Sequence, residues 1–314
     1  MPLPTDPAVF KTSEDLVHQL QTLFGKHAGK RPAHAKGLLL TGTFTPTPPP
    51  ALSPKPHTSP HPHPPLDPLL KLHRHSHDPR FRRRCRPRGI AIRFILDAQK
   101  HKHTDIIAHS TPFFPVRTGD EFLQFLRAVG SSGVGAQSPT PLERFLDAHP
   151  KAGEFVRAPK PAPTSWARET YWGVNAFRFV GEGGRVTFGR YRFVPVEGVE
   201  IASEELKKGL GENYLTEEIV GRLERRPVEF KLVVQVAEEG DITNDATVHW
   251  PEERQVVELG TVRVEGLLKD NEKEQKHIIF DPIPRVKGVD VSDDPLLDVR
   301  AGVYLISGKE RRAV

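Results

Sequence analysis

The chain is poor in the residues that build disulfides and soft metal sites: it has one Cys, one Met and three Trp among 314 residues. The single Cys85 excludes an internal disulfide and a cysteine-rich metal centre, and it is compatible with a reducing compartment. Long apolar runs are also missing, and none approaches the roughly 20 residues that a membrane helix requires. We find no secretory, lipidation or peroxisomal signal. We therefore expect a cytoplasmic protein with no membrane partner.

The excess of positive charge is confined to one segment. The whole chain has 45 Lys and Arg against 40 Asp and Glu, which gives a formal charge of +5. Residues 46–88 alone hold nine basic and two acidic residues, so the remainder of the chain is slightly acidic. Phe81 is the only aromatic residue of the basic segment, and the segment shows no sign of a folded module, which argues against a nucleic-acid partner.

The same segment interrupts the pattern of regular structure. Residues 46–88 contain 13 of the 31 Pro and six of the 15 His, without any apolar period. Proline has no amide N–H to donate and disfavours both helices and central strands. We therefore predict an irregular or disordered insert here, with no strand between residues 46 and 86.

Apolar periodicity predicts helices and strands on both sides of the insert. A helix over 12–24, capped by Ser13, and a strand over 35–44 precede it. No glycine-rich phosphate loop follows a predicted strand, so nucleotide-binding α/β folds have no support. The irregular succession of elements predicts the α+β class. The other predicted elements are strands at 89–96, 104–109, 171–180, 186–195, 228–237 and 256–265, and helices at 119–129, 141–148, 203–209, 215–225 and about 295–305.

Two short motifs become informative when they are taken together. His34 lies in His34-Ala35-Lys36-Gly37, directly before the first strand. Arg300 precedes Tyr304 by one helical turn on the same face of the last predicted helix. Each motif alone is typical of ordinary surface or core residues. Their combination resembles the haem-containing catalases, in which a tyrosinate binds the iron from below and a histidine lies above the haem.

Further stretches agree with this resemblance in the expected order, and the resemblance covers about residues 7–45 and 87–312. The chain ends soon after Tyr304, so it resembles the short catalase-related peroxidases. The supporting stretches are Pro87-Arg88-Gly89 with its strand, residues 105–114 followed by Arg117 and Phe122, Trp250-Pro251-Glu252 followed by 257–260, and Phe280-Asp281-Pro282.

The resemblance implies a fold, a cofactor and a reaction. The expected fold is a single catalase-core-like domain over residues 1–314, with an antiparallel β-barrel, flanking helices and a C-terminal helix on the proximal side of the haem. The expected cofactor is haem b, without NADPH. Hydrogen peroxide and a small organic electron donor are the expected substrates, and the chain is compatible with an oligomer.

The resemblance also assigns roles to eight residues. His109 stands where catalases have an asparagine, and a histidine can still donate a hydrogen bond to a bound peroxide. The implied roles are proton transfer for His34, orientation of peroxide for His109, iron ligation for Tyr304, support of the phenolate for Arg300, pairing with haem propionates for Arg31 and Arg311, and packing against the macrocycle for Phe114 and Phe122.

One departure from the family keeps two other functions open. Catalases have an Arg-Phe-Ser strand where this chain has the Pro-rich insert, and that strand forms one wall of the distal pocket. A rearrangement of fatty-acid hydroperoxides, as in the related allene oxide synthases, is one alternative. A non-catalytic binding protein that has lost haem is the other, and it would show no Soret band after reconstitution.

The composition of the insert resembles an out-of-frame reading or a mispredicted exon of a GC-rich gene. The hypothesis is motivated by the abrupt loss and recovery of the family pattern at residues 46 and 88. Sequencing the transcript tests it: an in-frame Arg-Phe-Ser codon series is expected, and a message that encodes the Pro/His sequence unchanged would refute the hypothesis.

Overall fold

The computed structural model describes residues 4–48 and 87–314, together with the backbone of residues 67–74. The helices are α1 (Pro7–Phe24), α2 (Gly119–Gly130), α3 (Pro141–Ala148), α4 (Pro150–Arg157), α5 (Glu204–Gly209), α6 (Tyr214–Leu223), α7 (Asn271–His277) and α8 (Leu296–Arg312). The strands are β1 (Lys36–Pro46), β2 (Asp67–Arg74), β3 (Arg88–Asp97), β4 (Lys102–His109), β5 (Tyr171–Trp172), β6 (Phe177–Val180), β7 (Val186–Pro195), β8 (Val228–Val236), β9 (Val256–Leu267) and β10 (Val289–Val291). The predicted α+β class is confirmed.

Eight strands form an antiparallel barrel. β2 lies between β1 and β3, and β3 pairs with β4. On the other side β1 pairs with β9, β9 with β8, and β8 with β7. β7 reaches β4 through the short strand β5, which meets β4 at the single pair His109 and Trp172. The barrel is therefore nearly closed, and β6 and β10 extend the sheet beside β7.

The insert prediction is wrong for residues 67–74. This stretch is strand β2, and its backbone pairs in continuous register with both neighbours, as in Leu70 opposite Leu40 and Ile92. The high proline content of residues 46–88 concealed a stretch of eight residues with only Pro68, and hydrogen bonds from two flanking strands stabilise such a segment beyond its own propensity. The structure of residues 49–66 and 75–86 lies outside the described part of the chain.

The strand predicted over 171–180 divides into β5 and β6. Gly173 follows β5 and donates its amide to the carbonyl of Tyr191 at 2.7 Å. The side chain of Asn175 turns inward and donates to Asp294 at 2.7 Å. Regular pairing with β7 stops after Trp172, which lies opposite Arg192, and resumes at Phe177, opposite Gly189, so the predicted strand does not continue through 173–176.

Helices α1 and α8 are longer than predicted. α1 begins at Pro7, where the Asp6 carboxylate accepts from the Ala8 amide at 2.7 Å and is the actual cap. Ser13, the predicted cap, is buried within the helix. α8 continues through Gly308 to Arg312. Ile279 packs closely against the helix at Gly308, where a Cβ would lie 2.2 Å from the Ile279 side chain.

Two apolar regions organise the packing. The barrel interior contains large buried side chains that include Tyr171, Phe193 and Phe230, each fully buried. A second cluster joins α1, α2 and α8 through Leu16, Leu123, Val299 and their neighbours. Burial of apolar surface is the main favourable term in folding, so these regions fix the helices against the barrel. Among the helices described, none is long and apolar enough to cross a membrane.

A buried ion pair fixes the beginning of β3. The Arg88 guanidinium donates twice to the Glu169 carboxylate, with Nη2 to Oε1 at 2.7 Å, and also donates to the carbonyl of Pro161 at 2.7 Å. Both charged side chains are almost completely buried. A bidentate pair of this kind holds the segment before β5 against the strand that starts at Arg88.

Removal of one charge from this pair should be costly because the other charge stays buried. We expect Glu169→Gln to lower the free energy of unfolding by about 3 kcal/mol. Urea unfolding followed by fluorescence measures the change. Glu204→Gln is the control, since Glu204 pairs with Lys207 on an exposed helix surface. That control should change stability by less than about 0.5 kcal/mol, and equal effects for the two variants would contradict this account.

Candidate active site

A cavity of about 430 Å³ lies between strands β3 and β4 of the barrel and helices α1, α2 and α8. Most of its lining side chains are apolar, and its volume is in the range of small-molecule sites. All eight residues selected from the sequence line this cavity: Arg31, His34, His109, Phe114, Phe122, Arg300, Tyr304 and Arg311. They come from distant parts of the chain, so the fold brings them together at one place.

Helix α8 contributes cavity-lining side chains from one face. Arg300, Tyr304, Ser307 and Arg311 recur at helical spacing along the cavity wall. The Arg300 guanidinium donates from Nη2 to the Tyr304 hydroxyl at 3.3 Å. Its carbon lies 5.7 Å from the centre of the Tyr304 ring. The guanidinium therefore contacts both the hydroxyl and the ring of Tyr304.

Two residues that the sequence reasoning missed support Arg300. Asn175 accepts a hydrogen bond from Arg300 and donates to the Asp294 carboxylate at 2.7 Å. Burial raises the pKa of Asp294, while hydrogen bonds from the Leu296 amide and Asn175 oppose that rise. The signal that could have revealed Asn175 is a polar residue inside an apolar strand-like run, since buried polar groups are normally hydrogen-bonded.

At another part of the cavity, the half-buried Arg31 and the buried Arg311 share one backbone acceptor. Arg31 donates to the carbonyl of Ile278 at 3.0 Å, and Arg311 donates to the same oxygen at 2.7 Å. Arg311 also donates to the Ser307 hydroxyl at 3.1 Å and to the carbonyl of Lys276 at 3.4 Å. Within the described ranges, no carboxylate lies at ion-pair distance from either guanidinium.

The positive charge at this place is therefore poorly neutralised. Burial, and next the nearby Arg311, lower the pKa of Arg31 to about 9. Burial also lowers the pKa of Arg311 to about 10. A carbonyl dipole offsets only part of a buried charge, so the arrangement favours binding of an anion with planar carboxylate geometry.

His34 has an unusual backbone. Its φ of 57° lies in the left-handed region, which costs an L-residue energy although histidine tolerates it better than β-branched residues do. The kink directly precedes β1 and gives His34 a place in the cavity lining beside Pro32 and Ala33. Conformations of this kind persist where the surrounding structure imposes them, often at functional sites.

His109 ends strand β4 and begins a row of aromatic side chains. Its ring centre lies 6.4 Å from that of Phe114 at an interplanar angle of 29°. The Phe114 ring lies 4.9 Å from the Phe122 ring on α2. The Phe114 amide donates to the carbonyl of Ala246 at 2.9 Å, which fixes the backbone after β4. These rings give the cavity an apolar aromatic wall next to an imidazole.

Known proteins resemble the chain along nearly its whole length. The catalase family model matches residues 75–313. A catalase-related peroxidase of Mycolicibacterium paratuberculosis is 32% identical over 307 residues, which are 96% of this chain and 96% of that protein. A catalase-related peroxidase of Synechococcus elongatus is 25% identical over 304 residues, 96% of this chain and 88% of that protein.

Solved structures show the same fold. Catalase A from Saccharomyces cerevisiae has a TM-score of 0.72 and 16% identity, and the match covers 99% of this chain and 65% of that chain. A bacterial catalase also has a TM-score of 0.72, with 18% identity, over 99% of this chain and 62% of that chain. This chain therefore spans somewhat less than two thirds of those solved catalase chains.

The resemblance stated from six short motifs is thus confirmed at the level of family and fold, whereas the individual roles of the eight cavity residues stay predictions. Three findings agree: a family model covers most of the chain, sequence relatives have a similar length, and solved catalases share the barrel. The chain therefore belongs to the catalase family.

Proposed function

We propose that this catalase-family chain decomposes hydrogen peroxide at a haem b held in the 430 Å³ cavity, as a catalase, as a peroxidase or as both. A small organic molecule serves as electron donor in the peroxidase reaction, and NADPH is not required. The observation that supports the proposal most strongly is the convergence of His34, His109, Tyr304 and three arginines on one apolar cavity.

The residues of the cavity fit a haem. An amphipathic macrocycle with two carboxylates needs apolar walls, two cations at one edge and an iron ligand on one face. Phe114 and Phe122 supply aromatic wall, and Arg31 and Arg311 supply buried positive charge. Tyr304 offers a phenol that can bind iron as the phenolate.

Each group has a distinct task in holding the cofactor. Tyr304 would bind the iron, and Arg300 would stabilise its phenolate through the 3.3 Å contact. Arg31 and Arg311 would pair with the propionates and gain the charge neutralisation that their neutral hydrogen-bond acceptors do not provide. When bound, haem supplies the redox-active iron at which the O–O bond of peroxide is cleaved.

His34 is the proposed proton-transfer residue. Its imidazole would accept the proton of one peroxide oxygen and return it to the other, so that water is the leaving group. An imidazole suits this role because its ordinary pKa lies near neutral pH. His34 has a left-handed backbone with φ of 57°, and the residue lines the cavity.

His109 would orient the bound peroxide by a hydrogen bond. Catalases have an asparagine at this position, and the imidazole offers either a donor or an acceptor, depending on its tautomer. The ring lies near Phe114, so it borders the apolar wall. A donor at this place would align the distal oxygen with His34 and exclude disordered water from the reacting atoms.

Substitution of His34 by a residue that cannot transfer a proton tests the proposal. We expect His34→Gln to reduce peroxide turnover by about 100-fold to 10,000-fold, because general acid–base catalysis contributes a factor of that size. Oxygen release and donor oxidation measure the two activities. The absorption band of bound haem should persist, since the proposed iron ligand Tyr304 is a different residue, on α8.

His18→Gln is the matched control, because His18 is an exposed histidine on α1. It should retain wild-type turnover. Full activity in His34→Gln would contradict the assigned role. A wild-type protein that binds haem but consumes a fatty-acid hydroperoxide much faster than hydrogen peroxide would instead support a rearrangement reaction and refute the proposed substrate.

A further inference from the structure

We propose that the ion pair of Arg93 and Asp105 positions the two arginines at the carboxylate-binding edge of the cavity. This inference rests on the proposed haem site, although neither residue lines the cavity. Arg93 lies on β3 and Asp105 on β4, side by side in the register of the barrel. The pair is a positioning device that acts through the segment Ile278–Asp281.

Arg93 and Asp105 form a bidentate ion pair. Arg93 donates Nε and Nη2 to the two oxygens of Asp105, at 2.9 and 2.7 Å. The Asp105 side chain is fully buried, and that of Arg93 is 16% exposed. Two parallel charge-assisted bonds fix the relative orientation of both side chains and leave further donor and acceptor capacity on each.

That remaining capacity is used by the segment after α7. Arg93 donates to the carbonyl of Ile279, and Asp105 accepts from the Asp281 amide at 2.7 Å. The Arg93 guanidinium carbon also lies 5.4 Å from the centre of the Phe280 ring. Three consecutive residues are therefore attached to one ion pair of the barrel.

The attached segment carries the acceptor that the cavity arginines share. Ile278 directly precedes it, and its carbonyl accepts from Arg31 at 3.0 Å and from Arg311 at 2.7 Å. This carbonyl lies at the C-terminal end of α7, where helix carbonyls have no partner within the helix and attract cations. A displacement of the segment would move the acceptor and both guanidinium groups with it.

A fixed separation of the two guanidinium groups matters for a ligand with two carboxylates. Pre-organised partners bind such a ligand more tightly because less conformational entropy is lost on binding. A loosened segment would weaken recognition of the carboxylates in particular. It would have little effect on contacts between the apolar walls and the body of the ligand.

The test compares haem with haem dimethyl ester, which lacks the free carboxylates. Fluorescence quenching and absorbance titrations of the apoprotein give both dissociation constants. We expect Asp105→Asn to lower the preference for haem over the diester by about tenfold, the scale of one charge-assisted hydrogen bond. Arg93→Lys, which keeps the charge but loses the planar fork, should lower it in the same direction.

Asp97→Asn is the control, because Asp97 lies on the same hairpin and pairs with the exposed Lys100. It should leave the preference unchanged. Equal losses for haem and diester would show that the pair is merely structural and would overturn the proposal. An unchanged preference in Arg93→Lys would overturn it as well, and so would a failure of both variants to fold.

A readout without haem separates this proposal from the proposed function. Amide hydrogen exchange of the apoprotein reports local opening of residues 279–281. We expect faster exchange there in Arg93→Lys than in Asp97→Asn. Should wild-type protein bind no haem, the proposed function fails, whereas unchanged exchange at 279–281 refutes the positioning role on its own.

Discussion

Two cavity guanidinium groups that donate to one carbonyl oxygen are the constraint on which the site depends. Arg31 and Arg311 come from opposite ends of the chain, and Ile278 O is their common acceptor. Burial makes their charge costly, and the neutral acceptors Ile278 O, Lys276 O and the Ser307 hydroxyl offset it only in part. An anionic ligand would remove this cost. The same contact joins the end of α7, the loop before β1 and the last turn of α8. It therefore fixes the relative positions of these elements and of the two charges at the cavity.

The barrel and the helices have different tasks around this cavity. The barrel supplies fixed backbone, from which β4 presents His109 and the β3–β4 pair holds the segment after α7. Helix α8 supplies Arg300 and Tyr304, and its small residues permit close packing, as at Gly302, where a Cβ would lie 2.3 Å from the Ser13 hydroxyl. Such close packing leaves little freedom for the helix face that carries Arg300 and Tyr304, which favours a preformed site.

The sequence was sufficient for the parts of the site that follow local rules or a family pattern. Helical spacing predicts that Arg300 and Tyr304 share a face, and the resemblance predicts that His34 meets them across more than 260 residues. Strand β2 could not be predicted, because its stability comes from two neighbouring strands and not from its proline-flanked sequence. The support of Arg300 by Asn175 was also missed, since a single polar residue in a strand-like run gives no indication of a partner more than 100 residues away.

The central claim is that the cavity holds haem with Tyr304 on the iron. The absorption spectrum of the purified protein, before and after reconstitution with haem, tests it most directly. This account predicts a Soret band in the wild-type protein, and it predicts that Tyr304→Phe shifts and weakens that band because the axial ligand is lost. The absence of a band after reconstitution, or an identical band in Tyr304→Phe, would contradict the account.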